Sequence, residues 1–335
     1  MAMTHYPKYY DAISLECFSS WVQRVTVFNE NHALLAYDVQ DIFSLCFRNE
    51  YFDPDYSHSS SFFVGCMEKL NTLGTKNIPN FLPVSRWIVP YFYRRAFCYE
   101  CLCEHVQLFR YPTCLQAWGV AYHTVCEKHG IAFSYAPESR VPTLERAMGM
   151  FRAYHDGSIV RLSSCYHDQS MADIIPRALH AQRLFLSLER QKDLQAFGFV
   201  QLLMRILLYP RFGLVHQKIA SRMSYPSGRN LRQSLHYGAL VANVQQRQLA
   251  SVMTCMVLDA ESGLCGRDWL SHINELYPHQ VKIEDIEHLG RLASVFVGAL
   301  IPGLLSQLDR YQQSMHNAAV DAFVTGFKIR AHRSM

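Results

Sequence analysis

Apolar positions recur at the three-four spacing of an amphipathic helix from Ser14 to about Asn29. Phe18, Trp21, Val22 and Val25 form one stripe there, and Ser14 is available as a cap. Two further helical stretches follow, around Asp38 to Phe47 and Ser61 to Leu70, which predicts a compact all-helical opening. The interval Asn77 to Pro90 then carries three prolines. Pro79 and Pro83 forbid a continuous helix, so a domain junction is expected here. From Tyr91 to Phe133 helical period is short, and cysteine, histidine and aromatic residues crowd together; a polar stretch, Ser134 to Pro142, leads out. From Leu144 onward helical periodicity returns and dominates, notably over Ala178 to Leu188, Leu194 to Leu208, Gln245 to Leu258 and Ile283 to Leu308. No fixed-period repeat, low-complexity tract or long alternating strand pattern interrupts it.

The chain has 335 residues, half of them apolar, enough to bury at least one sizeable core. Charged residues make up 18 % and the formal charge is +4, so any nucleic-acid contact must come from a local patch and not from overall basicity. The longest apolar run, Leu292 to Leu305, is about fourteen residues long and contains Pro302, whereas a membrane span needs roughly twenty. It reads as a buried helix that ends or bends, and no membrane contact is expected. The opening residues lack the pattern of an export signal, and a cytoplasmic location is the expectation. Eleven cysteines, odd in number and scattered, argue against a disulfide framework. Cys17, Cys46, Cys165 and Cys255 sit in apolar stretches and read as small core hydrophobes.

The cluster between Cys98 and Cys126 is different. Cys98-Tyr-Glu-Cys101 is followed by twenty-four residues and then Cys126-Glu-Lys-His129-Gly130. Two residues between paired donors let a tight turn present both to one tetrahedral ion, and two such turns complete the closed four-coordinate shell of a structural zinc. Metal binding in modules of this kind contributes about 10 kcal/mol or more to folding. Cys103, His105, Cys114 and His123 lie in the same window. His123 stands three before Cys126 and competes for the fourth position; His129 is preferred because Gly130 after it favours the turn. One structural Zn2+ is therefore expected. The fold class expected is mainly α, with a helical N-terminal domain over 1–90, a small zinc-finger or ribbon module over 91–140 and a larger all-helical C-terminal domain over 141–335. Any strands should belong to the module.

These motifs carry a family resemblance. Cys98-Tyr-Glu-Cys101-Leu, an aromatic interval containing Trp118, and Val125-Cys126-Glu-Lys-His129-Gly130 resemble the zinc-finger signature of the TniQ family of transposition proteins. The run from Ser14 to Arg24 is similar to that family's opening, Glu-Ser-Leu followed by a Ser-aromatic-Leu-x-Arg helix. Two departures stand out: Tyr99 occupies a place where many members have proline, and Ile131 to Asp156 holds no second cysteine pair set. The resemblance implies a non-catalytic target-selection adaptor that links a target recogniser to an AAA+ transposition regulator. In some members the recogniser is a CRISPR RNA-guided surveillance complex, on which the adaptor docks, often as a homodimer; in others the adaptor reads target DNA itself.

Phosphate loops, dinucleotide turns, nucleophile elbows and His-Glu-x-x-His helices are absent from the sequence. Asp41, Asp173, Asp259, Glu261, Asp285 and Glu287 could supply an acidic triad, but none falls in a recognisable strand context. The most basic interval is His216 to His236, where Lys218, Arg222, Arg229 and Arg232 flank Tyr225-Pro226-Ser227-Gly228. These four are the candidate phosphate contacts of the alternative reading, a sequence-specific DNA-binding protein, although a solvated helix-loop-helix corner explains them equally. Arg94, Arg95, Lys328, Arg330 and Arg333 read as further phosphate contacts or plain exposed charge. Trp21 and Trp118 read as core residues in preference to base-stacking platforms.

Overall fold

The computed structural model describes residues 13, 15–28, 32–46, 53–56, 60–72, 81, 85–136, 144–158, 168–210, 213–219, 231–259, 269–277, 281–297 and 301–331. The protein is mainly helical, as expected. Its contacts define two compact units, one of Met1–Val120 with Phe133–Arg161 and one of Ala121–Ala132 with Leu162–Met335.

The first unit opens with α1 (Phe18–Phe28), α2 (His32–Cys46) and α3 (Ser61–Thr72). The expected stripe of α1 is its core face: Phe18, Trp21, Val22 and Val25 are fully buried against Val39, Phe43, Phe62 and Phe81. Each such side chain contributes about 1.5–3 kcal/mol by leaving water. Ser14, the expected cap, lies outside the described residues. α1 begins at Phe18, and the orphan backbone N–H of Ser19 is met by Asp55 Oδ1 at 2.9 Å, from 36 residues away. Arg24, on the same helix, is wholly buried and forms a two-pronged ion pair with Glu16, from Nε to Oε1 at 3.2 Å and from Nη2 to Oε2 at 2.8 Å. Glu16 also accepts from the Ile13 backbone, and Gln116 donates to the Glu16 carbonyl, so this charge pair ties the start of α1 to a segment 100 residues on. Later in the unit come β1 (Ala96–Phe97), α4 (Tyr99–Phe109), β2 (Ser134–Tyr135) and α5 (Arg146–His155), with β1 and β2 paired antiparallel. Among the described residues this is the paired sheet, and it lies where strands were expected.

The second unit contains α6 (Asp168–Arg190), α7 (Leu194–Leu207), α8 (Leu214–Lys218), α9 (Leu231–Val241), α10 (Val244–Leu258), α11 (Trp269–Leu276), α12 (Ile286–Val297), α13 (Ile301–Met315) and α14 (Ala318–Ala331). α10 is its axis. Every residue from Val244 to Val257 is buried, with α6, α7, α8 and α14 packed around it. Its start is fixed by a capping box, in which Asn243 Oδ1 accepts from the Gln246 backbone and the Gln246 side chain accepts from the Asn243 N–H. α12 and α14 make the tightest helix pair, because two glycines let the backbones touch. A Cβ at Gly290 would lie 2.0 Å from the Phe323 carbonyl, and one at Gly326 would lie 1.8 Å from the Glu287 carbonyl.

The helical stretch Ile283 to Leu308 forms two helices, α12 and α13, with Pro302 in the first turn of the second, where its missing N–H costs nothing; the apolar run around it was expected to end or bend. The stretch Ala178 to Leu188 lies within α6, which starts at Asp168 and runs through the solvent-facing Pro176. Among the described residues, no helix is long and apolar enough to cross a membrane. Cys165 lies outside the described residues, whereas Cys17 and Cys255 are buried, as expected of core thiols.

Candidate metal centre

The segment around Cys98 is less irregular than its sequence suggests. Tyr99 to Phe109 is a helix, and its start places the first pair of donors. Cys98 is the N-cap of α4 in extended conformation, and Cys101 sits in the first turn. Both sulfurs thus lie by a helix N-terminus, where unpaired N–H groups and the macrodipole favour the thiolate that a metal needs. Tyr99, in the proline position of the resembling family, is the first helical residue; its ring stacks on Tyr154 of α5 with centroids 3.5 Å apart.

The second pair of donors sits in a knuckle. Gly130 N–H donates to the Cys126 carbonyl at 2.8 Å, Cys126 N–H donates to the Ile131 carbonyl at 2.8 Å, and Val125 bridges Ala132 antiparallel. Gly130 has φ +63°, the left-handed conformation that closes the turn and that glycine adopts without penalty. Upstream, Gln182 of α6 accepts from the backbone N–H groups of Thr124 and Val125, and Arg247 of α10 donates to the Ala121 carbonyl at 3.1 Å. Tyr122 adds a hydrogen bond to Glu189 at 2.8 Å.

Cys98, Cys101, Cys126 and His129 come together. Their four ligand atoms all lie within 4.8 Å of one another, the three thiols are buried, and Cys126 Sγ is 3.5 Å from His129 Nδ1. In a tetrahedral shell with metal–sulfur bonds of about 2.3 Å the sulfurs stand about 3.8 Å apart, so this spacing fits a single ion. The cluster could hold a metal ion, and its donor set is three thiols and an imidazole.

The other candidates in the window, Cys103, His105, Cys114 and His123, are not part of the cluster. His123 lies outside the cluster. It is buried, edge-on to Tyr122, and burial together with the Arg247 and Arg190 cations pushes its pKa down to about 3. Among the described residues its Nε2 has no hydrogen-bond partner. His105 Nδ1 is 2.6 Å from Thr113 Oγ1, and burial pushes the Cys114 thiol up to about 12. Trp118 and Trp21 are both buried, as expected of core residues.

The basic candidates fare differently. Lys218 is no phosphate contact: it is only 4 % exposed, and its ammonium donates to Asn274 Oδ1 at 3.2 Å and to the Tyr277 carbonyl at 3.0 Å. Arg222 and Arg229 lie outside the described residues, as does the side chain of Arg232. Arg94 is not exposed charge either. It is buried, ion-paired with Asp53 and Asp55, and donates to the Val89 carbonyl at 2.7 Å. The sequence holds a signal for that burial in the close pair Asp53 and Asp55. Lys328 pairs with Asp309 at 2.6 Å. Of the candidate carboxylates, Asp173 faces His272, Asp285 caps the His288 N–H, Glu287 lies beside Arg291, and Glu261 lies outside the described residues.

No family model, curated protein or solved structure matches the chain.

Proposed function

We propose that this chain is a non-catalytic adaptor of DNA transposition, of the kind its TniQ resemblance implies, with one structural zinc held by Cys98, Cys101, Cys126 and His129. The observation that carries the reading is the closed donor cluster, formed by the same two turns on which the resemblance rests. Soft thiolate donors in a tetrahedral arrangement select zinc over harder cations. Four protein ligands leave no position for substrate or activated water, so the ion organises the fold and does no chemistry. The buried Glu16–Arg24 pair supports the reading further, since it gives the arginine of the Ser-aromatic-Leu-x-Arg pattern a defined role in fixing α1.

In this reading the adaptor links a target-DNA recogniser to the AAA+ transposition regulator in the cytoplasm. It docks, as a homodimer, on a CRISPR RNA-guided surveillance complex. The rival, a sequence-specific DNA-binding protein, loses one of its four phosphate contacts to the burial of Lys218.

Two measurements test the proposal. After dialysis against a mild chelator the full chain should retain one zinc, and Cys98→Ser or Cys126→Ser should lose both the metal and the soluble fold. Retention of none sinks the structural-zinc reading. For the function, the chain should bind the AAA+ regulator and the surveillance complex while showing little affinity for naked duplex at physiological salt. Tight, steeply salt-dependent duplex binding that Arg229 and Arg232 substitutions abolish would establish the DNA-reading alternative. No cleavage or joining of DNA is expected with added magnesium or manganese.

A further inference from the structure

A second group of donors lies in the helical unit. His180 on α6 and Cys255 and Asp259 at the end of α10 each offer one ligand atom, and these atoms lie within 4.8 Å of one another. Cys255 and Asp259 are four residues apart, so the helix sets both on one face. His180 Nε2 meets Asp259 Oδ2 at 2.8 Å. The thiol is wholly buried, whereas the His180 and Asp259 side chains are 29 % and 33 % exposed. The trio therefore has a closed floor and an open mouth.

Local electrostatics favour a cation there. Asp259 is the C-cap of α10, and its backbone N–H closes the helix on the Cys255 carbonyl at 2.7 Å. A helix C-terminus is the negative end of the macrodipole, where a carboxylate is misplaced and a cation is stabilised. Among the described residues the partner of that carboxylate is His180, which carries a full charge only when protonated. A bound divalent ion would neutralise the carboxylate and the dipole end together.

We propose that His180, Cys255 and Asp259 form a second, three-ligand site for a transition-metal dication of the zinc class. One thiolate, one imidazole and one carboxylate are donors that zinc accepts, and three protein ligands leave a fourth position for water or an incoming donor. On binding, the Cys255 S–H bond is replaced by a metal–sulfur bond and its proton leaves to solvent, while the His180–Asp259 hydrogen bond opens so that both groups face the ion. The site differs from the finger cluster in having an open position, and it holds its ion more weakly for want of a fourth ligand.

Cobalt distinguishes the two. Full-length protein, with the finger loaded with zinc, is titrated with Co2+ and followed by absorption, where a thiolate–cobalt charge-transfer band reports the sulfur ligand. One further equivalent should bind, with a single-thiolate band. Cys255→Ser should remove the band, and Asp259→Asn and His180→Ala, at partly exposed positions that leave the fold intact by circular dichroism, should each weaken cobalt binding at least about tenfold. No cobalt uptake by the zinc-saturated wild type overturns the proposal. So does a band that survives in Cys255→Ser, which would mark exchange into the finger, or folded Asp259→Asn and His180→Ala proteins that bind cobalt like the wild type.

Discussion

Gly130 and His216 show how single residues set measurable terms. A Cβ at Gly130 would meet nothing within 4 Å, so alanine there is opposed by backbone conformation alone. Gly130→Ala should lower stability by about 1–2 kcal/mol, the cost of a left-handed L-residue, and Gly130→Asn by less. Urea denaturation of both variants checks this, and equal losses would mean that the turn is not what glycine serves. His216 is half-buried on α8 beside Gln246, whose amide Nε2 donates to His216 Nδ1 at 2.9 Å, so the imidazole is held neutral. Burial pushes its pKa down to about 4, against a smaller opposing effect from a hydrogen bond with the Leu208 backbone. The folded-state value is thus depressed below the unfolded one near 6.5. Stability from this residue is fully present above pH 6.5 and is lost as pH falls toward 4, because only the unfolded chain takes up the proton. Between pH 7 and pH 5 the loss should be about 2 kcal/mol. His216→Gln should flatten that part of the stability profile, and a wild-type profile without the slope would refute the assignment.

At the scale of elements, the α12–α14 pair makes the sharpest statement. With carbonyl oxygens 2.0 Å and 1.8 Å from where a Cβ would sit, Gly290→Ala and Gly326→Ala each force the helices apart. Overpacking of this kind costs typically about 1–3 kcal/mol, and here the obstacle is backbone, which cannot rotate away. Each variant should melt earlier than wild type, and the double variant should cost less than the sum, since separation caused by one alanine makes room for the other. Strict additivity would show that the two contacts are independent. The core stripes of helices such as α1 and α7 were legible in the sequence, because an apolar face repeats every three or four residues wherever a helix lies on a core. α4 was not, because its buried positions are Cys101, Leu102 and His105, and hydropathy does not read cysteine and histidine as a stripe. The cap of α1 was illegible for another reason: Asp55 reaches it through the fold, and no local pattern encodes a partner 36 residues distant. The four-donor cluster was readable to the residue, since ligand spacing is a local property of two short turns.

For the whole molecule the question is what a net charge of +4 does. Sequence reasoning treats every lysine and arginine as a candidate for phosphate, because composition says nothing about which charges the fold takes inward. Arg24, Arg94, Lys218 and Arg247 are all buried, and the first two are matched by Glu16, Asp53 and Asp55. Removing such residues should act on folding and not on a DNA surface. Lys218 allows the test, because it lies in the basic interval where the alternative reading places its DNA contacts. Lys218→Met keeps the apolar stem, removes the ammonium and leaves Asn274 Oδ1 and the Tyr277 carbonyl without that donor. Stability should fall by about 1–3 kcal/mol. The salt dependence of any weak duplex binding should stay unchanged, because a buried ammonium releases no counterion from DNA. A variant as stable as wild type, with a salt slope shallower by about one, would return Lys218 to the surface and strengthen the DNA-reading alternative. The combination expected here, a destabilised protein with an unaltered salt slope, would confine that alternative to Arg222, Arg229 and Arg232.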